Sequence, residues 1–347
     1  MKLKHFFLFL VLSALVATAA SPDAGAEGKL REMLQKRRAQ QAEGGEKKGG
    51  MFDENSLGRG KMSCKEKVAQ LEKFKGAMQR MSKDKPPVSL SASYGKHVLQ
   101  AIDVYTPKDA KNAAPYPIIF MVHGGGWCLG DKGHSGVIVN KLNRWGPKGF
   151  IVVSANYRMI TDGVYPLEQA QDVADALAYV QKHAAEWQGD PEKIIIMGHS
   201  AGAHIVSLLN ADVEKTAARG VTPWLGTVSL DTAAMNIPKK MKGEPAYLYQ
   251  EAFGKDEKYW EDTSPFHKVS AASPPWLGVC SSKRKDSCPD GELYAEKSRK
   301  LGLRAETLPE PVGHGAINKN LGEPGDYTDA VEKFMGSLDA EVKKRLQ

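Results

Sequence analysis

The stretch Ile194-Ile195-Ile196-Met197-Gly198-His199-Ser200-Ala201-Gly202-Ala203-His204 passes from four apolar residues, through a serine bracketed by glycines, into a segment with helical character. The apolar run is short and rich in β-branched residues, so it reads as a strand buried on both faces. From Ala201 to Asn210, the residues Ala203, Ile205, Val206, Leu208 and Leu209 read as a helix. A turn this sharp strains the residue at its apex, and a Cβ at Gly198 or Gly202 would strike the neighbouring helix or strand. Ser200 is then expected to stand clear of the sheet as a nucleophile.

A second glycine turn, His123-Gly124-Gly125-Gly126-Trp127, follows another strand-like run, Ile118-Ile119-Phe120-Met121-Val122. Three glycines in succession expose backbone N–H groups that can face a developing negative charge. The amides of Gly125 and Gly126, with that of Ala201 at the N-terminus of the helix after Ser200, are the expected oxyanion donors. Both turns belong at the carboxyl ends of adjacent strands, where open α/β sheets hold their ligands.

With these residues the chain resembles an α/β-hydrolase of the esterase/lipase group, and more closely the carboxylesterase and kynurenine-formamidase-like branch whose elbow reads Gly-His-Ser-Ala-Gly-Ala-His. Gly198 to His204 match that string throughout. Tyr94-Gly95 and Leu99 to Tyr105 are similar to the first strands of that family, Ala155-Asn156-Tyr157-Arg158 to a later strand end, and Pro166 to Val180 to the helix that follows. The resemblance covers residues 88 to 337. It implies a Ser-His-Asp mechanism, with the partners following Ser200 in the order acid, then base.

Three histidines follow the serine: His204, His267 and His314. His204 lies one turn into the helix and reads as packing beneath the elbow. His267 falls in an inserted stretch. His314, in Pro311-Val312-Gly313-His314-Gly315, stands where the family carries its base. The acid should follow the strand Pro275 to Cys280, and Asp286 is the first carboxylate in the loop after it, with Asp290 the alternative. This loop departs from the family's Gly-x-x-Asp-x-x-Val-Pro: the glycine is missing and the loop is longer. Cys280 and Cys288 bracket it, and a disulfide between them would hold it in place of the glycine turn. Whether Cys64 and Cys128 pair is left open by the sequence.

The alternation of strands and helices from Pro87 onward predicts a mostly parallel sheet with helices on both faces, formed as one domain over residues 86–347. A helix is expected from Pro166 to Trp187, ended by a turn at Gly189-Asp190-Pro191. Residues 230–273 lack strand alternation and read as a small cap insertion. Trp127 and Asp231 are expected to line the substrate pocket, although Asp231 serves equally well as a helix cap.

Residues 1–20, with Lys2, Lys4 and His5 before an apolar run and Ala17-Thr18-Ala19 after it, read as an export signal and place the mature chain in the periplasm or outside the cell. The formal charge of +7 invites a nucleic-acid reading. Residues 1–85, however, hold 18 Lys and Arg against 10 Asp and Glu, so the remainder is close to neutral. Residues 21–62 read as a flexible basic segment and 63–85 as a helical lead-in. No cofactor, metal or nucleic-acid partner is expected, and the cysteine spacings fit no zinc site. The expected substrate is a small-molecule or polysaccharide-linked ester, with cleavage of N-formyl amides or a non-catalytic binding role as alternatives.

Overall fold

The computed structural model describes residues 62–73, 87–108 and 114–347. The chain divides into two units, Met1–Phe52 and Asp53–Gln347, and the described residues all belong to the second. The expected export signal and nearly all of the basic segment therefore lie outside the described residues, as do residues 74–86 of the lead-in.

Eight strands form one sheet: β1 (Leu90–Ser93), β2 (Ala101–Tyr105), β3 (Tyr116–Val122), β4 (Ile151–Ala155), β5 (Gly189–His199), β6 (Gly226–Leu230), β7 (Trp276–Ser281) and β8 (Ala305–Glu310). Their order is β1-β2-β4-β3-β5-β6-β7-β8. Pairing is antiparallel where β2 meets β1 and β4, and parallel from β4 through β8. The expected mostly parallel α/β sheet is thus what the chain forms, and the strands before the two glycine turns are neighbours in it.

The helices are α1 (Cys64–Lys73), α2 (Ser135–Trp145), α3 (Pro166–His183), α4 (Ala201–Ala211), α5 (Val213–Ala217), α6 (Ile237–Lys242), α7 (Tyr247–Phe253), α8 (Glu257–Asp262), α9 (Pro265–Lys268), α10 (Ser287–Lys300), α11 (His314–Asn320), α12 (Asp326–Gly336) and α13 (Ala340–Leu346). The period-two direction of strand side chains sorts the core into two layers. Ile118, Phe120, Val122, Ile194 and Ile196 pack under Val173 and Leu177 of α3 and Ile205 and Leu208 of α4. Ile119, Met121, Ile195 and Met197 face the other way, toward Ile138 and Trp145 of α2 and Val331 and Phe334 of α12. Each fully buried side chain of this size contributes about 2 kcal/mol, so both layers hold helices against the sheet.

Two boundaries differ from expectation. The helix from Pro166 ends at His183 and tightens into a 3₁₀ turn over Ala184–Trp187. Gly189-Asp190-Pro191, read as a turn, belongs to β5, where Gly189 pairs with Tyr116 across a register shift before Ile118. Between β6 and β7, where the cap insertion was expected, stand the four short helices α6 to α9.

Candidate active site

Ser200 occupies the step from β5 to α4 with φ +56° and ψ −115°, a left-handed backbone that a non-glycine residue adopts only under constraint. Its amide is fixed by donating to the Leu230 carbonyl at 2.9 Å. Close approach explains the flanking glycines: a Cβ on Gly198 would lie 2.3 Å from the Gly202 carbonyl oxygen, and one on Gly202 would lie 2.4 Å from the carbonyl oxygens of Val122 and His123. α4 thereby starts directly against the end of β3, and the two glycine turns meet.

In the first turn Gly125 and Gly126 have φ +120° and +62°. Both line a cavity of about 530 Å³ together with Trp127, Ser200, Ala201 and His314. Among the described residues no acceptor bonds the backbone amides of Gly125, Gly126 or Ala201. Trp127 is buried with its edge on the cavity. Its indole N–H donates to His204 Nδ1 at 3.2 Å, and the ring packs against Tyr249 and Phe253.

His314 opens α11 and reaches Ser200 Oγ through Nε2 at 2.9 Å. Its backbone is held by His199, whose Nε2 donates to the His314 carbonyl at 3.1 Å. On the other side of the imidazole, His314 Nδ1 donates to Asp231 Oδ2 at 2.5 Å. Nδ1 therefore carries the proton, and Nε2 is left as the acceptor facing the serine.

Asp231, expected to line the substrate pocket or cap a helix, is thus the carboxylate on the imidazole, and Asp286 is not. Asp231 ends β6, beside the nucleophile strand, with φ +54° turning its side chain into the sheet end. The carboxylate is fully buried. It accepts from the Ser281 amide at 2.8 Å, from the Ser287 hydroxyl, and from Arg284 Nη1 at 2.9 Å. Burial alone would raise its pKa. The His314 hydrogen bond, the Arg284 charge and the Ser281 amide outweigh this and hold the carboxyl well below the usual carboxylate range.

Asp286 sits at the exposed start of α10, paired with Lys240 Nζ at 3.1 Å and Arg284 Nη2 at 3.2 Å. It lines the same cavity but does not meet the imidazole. Asp290, the alternative acid, accepts from the Met235 amide at 2.7 Å and anchors the chain after β6. The loop read as carrying the acid instead supplies its supports, Ser281, Arg284 and Ser287.

The expected bond between Cys280 and Cys288 is present and closes that loop. Cys64 and Cys128 are also joined, which ties α1 to the residue after Trp127. Among the described residues no group of three or more His, Cys, Asp or Glu is placed to hold a metal ion.

A sequence profile of the BD-FAE family matches residues 102–285, more than half of the chain. The chain belongs to the BD-FAE family. The BD-FAE match runs from β2 to the loop after β7, so it takes in Ser200 and Asp231 and stops before His314. One relative is a probable isoprenylcysteine alpha-carbonyl methylesterase, ICMEL1, of Arabidopsis thaliana, 33% identical over 122 residues that make up 35% of this chain and 24% of the relative. Another is the esterase LipC of Mycobacterium tuberculosis, 25% identical over 268 residues, 71% of this chain and 64% of the relative. The chain thus spans less than two thirds of either.

Among solved structures, the apo form of Thermogutta terrifontis esterase 2 superposes with a TM-score of 0.60 at 22% identity, covering 74% of this chain and 97% of the other. A truncated carbohydrate esterase from gut microbiota gives 0.60 at 19% identity, covering 75% and 98%. This likeness establishes the α/β-hydrolase fold for the BD-FAE chain.

Proposed function

We propose that the protein is an exported serine esterase that cleaves carboxylic esters through an acyl-enzyme. One observation carries the reading: Ser200 Oγ lies 2.9 Å from His314 Nε2, the imidazole is held by buried Asp231, and all three line one cavity with Gly125, Gly126 and Ala201.

Ser200 Oγ attacks the ester carbon while His314 Nε2 takes the hydroxyl proton, and Asp231 stabilises the resulting imidazolium. The carbonyl oxygen becomes an oxyanion that the amides of Gly125, Gly126 and Ala201 stabilise; one such donor is worth about 3 kcal/mol. The intermediate collapses as His314 passes its proton to the leaving alcohol. Water, deprotonated by the same nitrogen, then attacks the acyl-enzyme and frees the acid and Ser200. Trp127, Leu129, Leu248 and Tyr249 provide an apolar surface for a short acyl or aryl group.

Leu248 and Tyr249 belong to α7, so the helices between β6 and β7 act as the cap of this cavity. The names of the relatives, the esterase LipC and a probable carboxylic ester hydrolase among them, support ester hydrolysis. Small-molecule or polysaccharide-linked esters are the proposed substrates. The disulfides fit an oxidising compartment, and residues 1–20 supply the signal to reach it. No helix among the described residues is long and apolar enough to cross a membrane.

The test is turnover of p-nitrophenyl esters from acetate to decanoate, with a serine-reactive phosphonate and peptide mapping. Turnover by the parent with label on Ser200, both lost in Ser200→Ala, is expected. A Ser200→Ala protein that hydrolyses at the parental rate sinks the reading.

A further inference from the structure

Lys67 brings an ammonium from α1 into the cavity of Ser200. The residue is only 2% exposed, yet it lines that cavity with Gly125, Trp127 and His314. Its helix is fixed from two sides, by the Cys64–Cys128 bond and by Glu251, whose carboxylate accepts from the Cys64 amide at 3.0 and 2.9 Å. Glu251 is therefore engaged at the start of α1, and no acceptor among the described residues hydrogen-bonds the Lys67 ammonium. Burial lowers its pKa below the ordinary lysine value, and the charge of Glu251 offsets part of that.

The rest of the cavity has the same sign. Lys283, Arg284 and Lys285 line it from the loop after β7, against two carboxylates, Asp231 and Asp286. Both carboxylates are already engaged, Asp231 by His314 and Arg284, and Asp286 by Lys240 and Arg284. An anion that enters meets a cationic wall and an ammonium, on a largely buried side chain, that no protein acceptor among the described residues hydrogen-bonds, in a site where low dielectric strengthens the attraction.

We propose that this cavity selects esters that carry a carboxylate of their own, bound by the Lys67 ammonium with the Lys283 to Lys285 loop steering the charge inward. The proposal rests on Ser200 being the nucleophile and adds the substrate class. The carboxylate can stand on the acyl or the alcohol side of the ester, and the two arms of the test separate these sources.

On the acyl side, mono-4-nitrophenyl glutarate is compared with its methyl-capped neutral counterpart. On the alcohol side, 4-carboxyphenyl butanoate is compared with 4-carbamoylphenyl butanoate. In at least one arm the parent is expected to favour the anion by about tenfold in kcat/KM, the scale of one charge-assisted hydrogen bond. Lys67→Met should abolish that preference and Lys67→Arg should keep most of it, with thermal melts showing both variants folded. Calorimetry with glutarate and with glutaramide repeats the comparison without turnover. Preferential glutarate binding by the parent, lost in Lys67→Met, upholds the anion site even if no ester is cleaved, in which case only the esterase reading fails. A parent without preference for the anion in either arm and in calorimetry, or a preference equal in parent and Lys67→Met, overturns the proposal.

Discussion

Asp231 and His314 lie 83 residues apart in sequence, and a carboxylate oxygen of the first stands 2.5 Å from Nδ1 of the second. One follows β6 directly and the other begins α11, and the cap helices α6 to α9, then β7, α10 and β8, separate these elements along the chain. Arg284 Nη1 lies 2.9 Å from the same oxygen, so imidazole and guanidinium share it. The carboxylate stays ionised between them and holds the imidazole in the tautomer that faces Ser200.

Asp231→Asn is expected to lower kcat by about 10³ to 10⁴ fold, because an amide can present its NH₂ to Nδ1 and reverse the tautomer. Asp286→Asn should change kcat by less than about tenfold, since Asp286 is exposed and its partners are the half-buried Lys240 and the already paired Arg284. Steady-state kinetics of the two variants on one p-nitrophenyl ester decides between them. The reverse ranking would return the acid to the loop after β7.

Gly202→Ala would drive a methyl group to 2.4 Å from two carbonyl oxygens at the end of β3. Both are backbone atoms and neither can move aside cheaply, so a loss of about 3 kcal/mol or more is expected. Gly315, inside α11, has nothing within 4 Å of a built Cβ. Gly315→Ala should therefore stabilise by about 0.5 to 1 kcal/mol through helix propensity. Thermal midpoints of the two variants would show opposite shifts from the parent.

His204 is fully buried with both ring nitrogens in use. Nδ1 accepts from Trp127, and Nε2 donates to the Thr263 carbonyl at 2.7 Å. Burial lowers its pKa from 6.5 to about 4, only partly opposed by the Thr263 bond. Protonation would point a second N–H at the indole donor. Between pH 6.5 and about 4 the unfolded chain binds a proton that the folded chain refuses, so stability is lost as pH drops through that window. The integrated loss is about 3 kcal/mol. Urea melts at pH 7 and pH 4 should show this slope in the parent and a shallower one in His204→Gln. Equal slopes would mean that the ring charges without penalty.

The two disulfides close loops of different length, with sequence separations of 64 and 8. By loop entropy, replacing Cys64 and Cys128 with serine should cost about 4 kcal/mol, and replacing Cys280 and Cys288 about 2.5 kcal/mol. The shorter loop carries Arg284 and Ser287, which grip Asp231, so its removal is expected to lower kcat more relative to its stability cost. Denaturant midpoints together with kcat for the two double-serine variants check both rankings.

Much of the site could be read from short stretches of sequence. Gly198 and Gly202 bracket a strained serine because the backbones on either side approach within a van der Waals contact, and that requirement is written in adjacent residues. The apolar runs before both glycine turns are buried on each face, so their strands show without tertiary information. The bond between Cys280 and Cys288 was legible for the same reason, since it closes a local loop. Asp231 was not. Its neighbours Leu230 and Thr232 mark a strand end and nothing more, while the loop after β7 offered two carboxylates in the expected order. The departure of that loop from the family pattern, with its glycine missing and its length increased, was the available signal that its role had changed.

The strands, the elbow and the glycine-rich turn after β3 follow from the residue order alone, because each depends on residues within a few positions of one another. Tertiary structure decided which carboxylate meets His314, that Cys64 pairs with Cys128, and that Lys67 opens into the cavity. Those outcomes depend on the order of β5 to β8 and on how elements distant in the chain close over the sheet end. Local propensity carries no information about such distances, which chain packing alone sets.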